Sequence, residues 1–285
     1  MSALIEIKQL SKNFGQQTVL DSIDLNIESG RIVGLVGPNG SGKTTTLKAI
    51  LGLTSYEGSV SVLGKDPRRQ RDELMQDICF IADVAILPRW LKVADALDFV
   101  AGVHPRFNRA KAEAYLSHTK LKPEMKVKAM SKGMIVQLHL ALVMAIDAKL
   151  LVLDEPTLGL DIMYRKQFYQ HLLEDYFDEN KTIIITTHQV EEVEHILSDL
   201  VFIKEGKIVM QASMDQMAER FVEVLVTPES IEIAKSYHPI DQRLVFGKTV
   251  MLFDNVHADI LKKLGDTRTP SVADLFVANM KGAYL

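Results

Sequence analysis

The sequence predicts an α/β protein built on a doubly wound, mixed sheet, with a helical segment inserted into it and a small α+β unit towards the C-terminal end. Three observations predict it. Short, nearly all-apolar runs at residues 31–36, 150–153 and 182–186 read as strands covered on both faces, as strands of a parallel sheet are. Helical patterns flank those runs, so that strands and helices alternate. Beyond Gly206 the character changes to short strands, a turn and short helices.

Residues 4–7 and 20–27 alternate apolar and polar side chains between the turn-formers Asn13, Gly15, Ser29 and Gly30, and read as early strands. The apolar run 31–36 follows, then a helical run over 45–51. From about 72 to 147 helical signals dominate, at 93–100, 109–118 and 134–146, and the last is apolar on every face and expected to be buried. Past Gly206 come a strand over 222–226, a helix over 229–237, and a hairpin of 243–246 and 249–253 turning at Gly247-Lys248. Helices over 257–264 and 271–280 close the chain, the second started by Thr269-Pro270 and Asp274. The expected division is residues 1–215, with the helical subdomain at about 72–147, and an accessory domain at 216–285.

Composition narrows the function. The 285 residues are 47% hydrophobic and 25% charged, ordinary for a globular protein of one large and one small domain. A net charge of −4 argues against a nucleic-acid partner, and the basic run at 65–71 reads as a solvated turn and helix start. The lone Cys79 excludes an internal disulfide and, within the apolar stretch 78–81, reads as a buried small hydrophobe in a reducing compartment. No secretory leader is visible, and the best spanning candidate, residues 138–153, is interrupted by His139, Asp147 and Lys149. A cytoplasmic chain that does not itself cross the membrane is expected.

Two stretches carry chemistry. Gly37, Pro38, Asn39, Gly40, Ser41, Gly42, Lys43 and Thr44 run directly from the apolar strand into the helical pattern that begins at Thr45. Glycines let successive backbone N–H groups converge on phosphate oxygens at a helix N-terminus, Lys43 adds a mobile positive charge, and the Thr44 hydroxyl is a ligand for Mg²⁺. The run 150–153 ends in Asp154-Glu155, at the carboxyl end of a strand where ligands sit in open α/β sheets. Adjacent acids are costly to desolvate without a cation, which again points to Mg²⁺. Asp154 would hold it through water, and Glu155 would orient and deprotonate an attacking water.

Further motifs narrow the class of nucleotide-binding protein. Met130-Ser131-Lys132-Gly133-Met134, opening a helix before Asp154, resembles the signature motif of the ATP-binding cassette (ABC) family, usually LSGGQ; the residues 156–161 after Glu155 resemble its D-loop, and Thr186-Thr187-His188 its histidine switch. The order and spacing match over about three quarters of the chain, and the Ser-Lys-Gly-Met form is similar to that of bacterial drug- and antibiotic-export cassettes. The resemblance implies a P-loop NTPase cassette that binds and hydrolyses ATP with Mg²⁺ and powers transport, export in this subgroup, through a separate transmembrane permease. It also implies a peripheral position on the inner face of the cell membrane and a head-to-tail dimer with a second cassette.

In that dimer Ser131 and the Gly133 N–H would contact the γ-phosphate across the interface, Asp161 would link the two sites, and His188 would contact the γ-phosphate and the attacking water. Phe14, just before Gly15, stands where the family places an aromatic ring on adenine. The sequence departs from the pattern at Lys132, Met134 and Gln137, and Asp83 stands near the usual Q-loop glutamine, where a carboxylate can still approach Mg²⁺. Trp90 falls where the helical subdomain would meet the permease. Two other readings are a soluble cassette ATPase acting on ribosomes or DNA, and a catalytically weak regulatory cassette.

Overall fold

A computed structural model describes residues 3–82, 87–158, 160 and 162–280. Strands β1 (Ala3–Phe14) and β2 (Gln17–Glu28) form an antiparallel pair, and after β3 (Ile32–Val36) and helix α1 (Lys43–Ile50) the chain returns as β4 (Glu57–Val62) to complete a three-stranded sheet, β2-β1-β4. The first strand is longer than its apolar pattern because bulges after Ile7 and Leu10 interrupt the alternation. Asn13 lies in the strand, and the turn falls at Gly15 and Gln16.

The short helix α2 (Arg71–Leu74) leads to β5 (Ile78–Ile81), then come helices α3 (Val93–Val103), α4 (Arg109–Ser117) and α5 (Lys132–Met144). The chain re-enters the sheet as β6 (Leu150–Asp154), crosses through α6 (Ile162–His171) to β7 (Thr182–Thr187), and continues to β8 (Asp199–Lys204) and β9 (Lys207–Ser213). Strand order in this six-stranded sheet is β5-β6-β7-β3-β8-β9, parallel except for β9. The stretch expected to be helical from residue 72 thus contributes one strand to the core; four residues are too few to show a period.

Side-chain alternation along these strands fills two layers. Val33, Leu35, Leu150, Val152 and Ile184 meet the three-stranded sheet and α1 on one face. Ile32, Val36, Leu151, Leu153, Ile183 and Ile185 pack on the other against Phe168, Tyr169 and Leu172. Cys79 is buried in this second layer, and α5 is buried from Gln137 to Met144 apart from the half-buried His139.

Helix α7 (Met214–Arg220) leads into β10 (Phe221–Val226), α8 (Ile231–Lys235), β11 (Asp241–Val245), β12 (Lys248–Asp254), α9 (Ala258–Leu261), β13 (Gly265–Arg268) and α10 (Val272–Met280). The four strands form an antiparallel sheet, β11-β12-β10-β13, over a small cluster that includes Val224, Met251, Phe253 and Leu261. The hairpin turns at Phe246 and Gly247, not at Gly247-Lys248; both have positive φ, 49° and 77°, as a tight two-residue turn requires. The expected helix over 257–264 is a single turn, and β13 follows it unheralded because Gly-Asp-Thr-Arg has no apolar residue. Helix α10 returns to the main sheet, where Phe276 packs edge-on against Phe202 at 5.6 Å and Val272 N donates to Glu194 Oε1 at 3.0 Å.

Candidate functional site

Where β3 ends, residues 37–42 fold into a loop over the N-terminus of α1. Gly42 has φ 109°, and a Cβ there would lie 2.6 Å from Leu20 Cδ2; only glycine satisfies both the angle and the space. Lys43, the first residue of α1, is 7% exposed. Its Nζ donates to Gly37 O at 2.7 Å and Pro38 O at 3.1 Å. Burial lowers its pKa, while the charges of Glu155 and Asp154 oppose that shift.

Asp154 ends β6 and is buried. Thr44 Oγ1 donates to its Oδ2 at 2.9 Å and Thr186 Oγ1 to its Oδ1 at 2.5 Å. Glu155 follows in a left-handed backbone conformation, φ 50°, and its amide donates to Thr186 O and Oγ1, each at 3.2 Å. Glu155 Oε1 and His188 Nδ1 are 2.9 Å apart. A carboxylate only accepts, so Nδ1 carries the proton of this bond.

The predicted residues Asn39, Gly40, Gly42, Lys43, Thr44, Thr45, Asp154 and Glu155 line one open cleft of about 180 Å³, and β2 adds Val19 to its wall. Gly37 and Pro38 join through Lys43, and His188 through Glu155. Ser41 turns inward, buried, with its carbonyl accepting from Gly206 N at 3.0 Å.

Other predicted residues lie apart from this cleft. Ser131 caps α5, its Oγ accepting from Met134 N at 3.3 Å, and Gly133 sits beside Leu160. Phe14 is 55% exposed at the end of β1, with Lys12 Nζ 4.8 Å from its ring centre. Asp83 and Asp161 lie outside the described residues. Trp90 is 68% exposed on the helical insertion.

The sequence reading did not single out Val19, the hydroxyl of Thr186 or Arg165. Arg165 Nε donates to Leu160 O at 2.7 Å, and its Nη1 reaches Gln189 Oε1 at 2.5 Å and pairs with Glu192, tying the segment after Glu155 to the loop after His188. A signal for Thr186 was present: the fully buried run Thr182–Thr187 holds threonines beside its isoleucines, and buried hydroxyls need partners.

The chain is 31% identical over 278 residues to the Nod factor export ATP-binding protein I of Burkholderia pseudomallei, an alignment covering 92% of this chain and 91% of that protein. The chain belongs to the ABC transporter family. The ABC transporter profile matches residues 20–158, from β2 through the carboxylate pair. The lantibiotic transport ATP-binding protein SrtF of Streptococcus pyogenes is 31% identical over 220 residues, 74% of this ABC chain and 92% of that protein. A solved ATP-binding subunit of an ABC transporter shares the fold with a TM-score of 0.67 at 24% identity, covering 75% of this chain and 91% of that one. This ABC chain is accordingly an ATP-binding and ATP-hydrolysing transporter subunit that works with a membrane permease. No helix among the described residues is long and apolar enough to cross a membrane.

Proposed function

We propose that this cassette powers export, docked peripherally on the inner face of the cell membrane against a separate permease, and that it works as a head-to-tail dimer. The observation that carries the catalytic part is the convergence of Lys43, Thr44, Asp154, Glu155 and His188 from three separated stretches of sequence around one cleft.

The Thr44 hydroxyl and the Asp154 carboxylate, hydrogen-bonded to each other beside the phosphate loop, are hard oxygen donors of the kind Mg²⁺ takes, with phosphate and water filling the rest of its shell. The residues fit the ion. When bound, Mg²⁺ neutralises phosphate charge; Thr44 and Asp154 would hold it, with Asp83 approaching from the Q-loop position. Lys43 exchanges the carbonyls of Gly37 and Pro38 for phosphate oxygens, while Gly40, Ser41, Gly42 and Thr45 contribute backbone N–H groups of the loop. Glu155 orients the attacking water and accepts its proton, and His188 holds the Glu155 carboxylate. Phe14 stacks on adenine.

Ser131 and Gly133, away from the chain's own cleft at a helix N-terminus, are suited to the phosphate of a partner cassette, with Asp161 between the two sites. Leu158, Ile162 and Met163, close to Asp161 in sequence, are exposed apolar residues, which supports coverage by a partner. Exposed Trp90 and Phe99 on the helical insertion support docking of the permease there. The division at residue 215 separates this machinery from an accessory domain. Export is the activity named for the Nod factor relative.

The test is purification of the tagged chain from gently solubilised membranes with Mg·ATP. A polytopic membrane protein co-eluting in comparable amount is expected; ribosomal or DNA-bound material, or the chain alone, would overturn the export complex.

A further inference from the structure

Strand β7 is buried along its whole length, and a hydroxyl placed there is costly unless it is hydrogen-bonded. Thr182, at its start, meets this structurally: its Oγ1 accepts from Gly30 N at 3.0 Å. Thr186, with no exposed surface, is different. The parallel register sets it directly beside Asp154. Its hydroxyl donates to Asp154 Oδ1 at 2.5 Å and accepts from the Glu155 amide at 3.2 Å. The other Asp154 oxygen is taken by Thr44.

We propose that Thr186 is a positioning residue for ATP hydrolysis. Its one buried hydroxyl fixes the Asp154 carboxylate so that Oδ2 is presented to Thr44, and it pins the Glu155 amide. Glu155 is a non-glycine residue with positive φ, a conformation that persists only where its surroundings enforce it. The clamp thereby sets where the Glu155 carboxylate meets His188. Valine has nearly the same shape as threonine and lacks the hydroxyl, so Thr186→Val leaves Asp154 Oδ1 without this donor and the Glu155 amide with the Thr186 carbonyl alone. The assignment rests on the ATPase reading of the cleft.

The experiment uses the full-length wild type, Thr186→Val, Thr186→Ser and, as a structural control, Thr182→Val. Turnover, KM for ATP, the Mg²⁺ concentration that half-saturates binding of a fluorescent ATP analogue, and Tm are measured for each. Thr186→Val is expected to lower kcat by roughly tenfold to a hundredfold, with little change in KM and a raised Mg²⁺ requirement. Thr186→Ser restores most of the turnover, and Thr182→Val lowers Tm without moving the Mg²⁺ requirement. Wild-type behaviour of Thr186→Val overturns the assignment while leaving the ATPase reading intact, as does a loss that follows Tm and is not rescued by serine. A wild type no faster than Glu155→Gln overturns the ATPase reading, and this assignment with it.

Discussion

Glu155 Oε1 and His188 Nδ1 lie 2.9 Å apart, although 33 positions separate the two residues in sequence. The carboxylate at the end of β6 is thus held by an imidazole at the end of β7, next to the phosphate loop. Glu155→Gln keeps the shape and loses the base. It should retain ATP binding while turnover falls about 10²–10⁴-fold, read by phosphate release beside fluorescent-nucleotide binding. His188→Ala leaves Glu155 without this hydrogen bond, and its turnover should fall while binding is retained.

Arg165 fastens Leu160 to Gln189 and Glu192 with a planar fork of donors. Lysine keeps the charge and cannot reproduce the fork. Arg165→Lys should therefore loosen the loop after His188 and lower kcat by roughly tenfold with KM for ATP little changed, as steady-state kinetics would report.

Gly42→Ala forces an L side chain to φ 109° and into Leu20. The strain is on the order of 1–3 kcal/mol, and the loop must shift to relieve it. Loss of nucleotide binding together with a lowered denaturation midpoint is expected, by titration and urea unfolding.

Burial pushes the Cys79 thiol up to about 12 from an ordinary value of 9.0. The unfolded chain therefore releases this proton first, so the group's contribution to stability is lost as pH rises above 9.0 towards 12. The native thiol should resist iodoacetamide at pH 8 and react fully once unfolded in urea, followed by mass spectrometry.

Glu223 is 1% exposed in the C-terminal sheet and is held at 2.5 Å by both Arg243 and Arg268. Glu223→Gln removes the anion that the two guanidinium groups share, while Arg243 keeps Asp274 at 2.9 Å and Arg268 stays largely in water. It should destabilise this sheet by about 1–2 kcal/mol, seen in urea unfolding, while ATP binding at the cleft is preserved.

The phosphate loop was legible because it is contiguous: residues 37–44 place their own glycines, lysine and threonine between a strand and a helix. Asp154 and Glu155 were legible because an all-apolar run that ends in two acids marks a strand end. Strands β5 and β13 were not, since four residues give no measurable period and β13 has no apolar residue. The hairpin turn was misplaced by one residue because Phe246 takes the positive φ that a reading of turn-forming residues assigns to glycine and its neighbour.

By itself, then, the sequence determined the α/β class, the nucleotide chemistry and the residues that bear it, because those depend on local backbone freedom, apolar runs and short motifs. Only the tertiary structure decided that Val19 walls the cleft, that the Thr186 hydroxyl clamps Asp154, that Arg165 joins two loops, and that α10 packs back onto the main sheet. Each of these relations depends on strand order and register or on packing between distant segments, and residues as far apart as Thr44 and Asp154, 110 positions, become neighbours only when the sheet assembles.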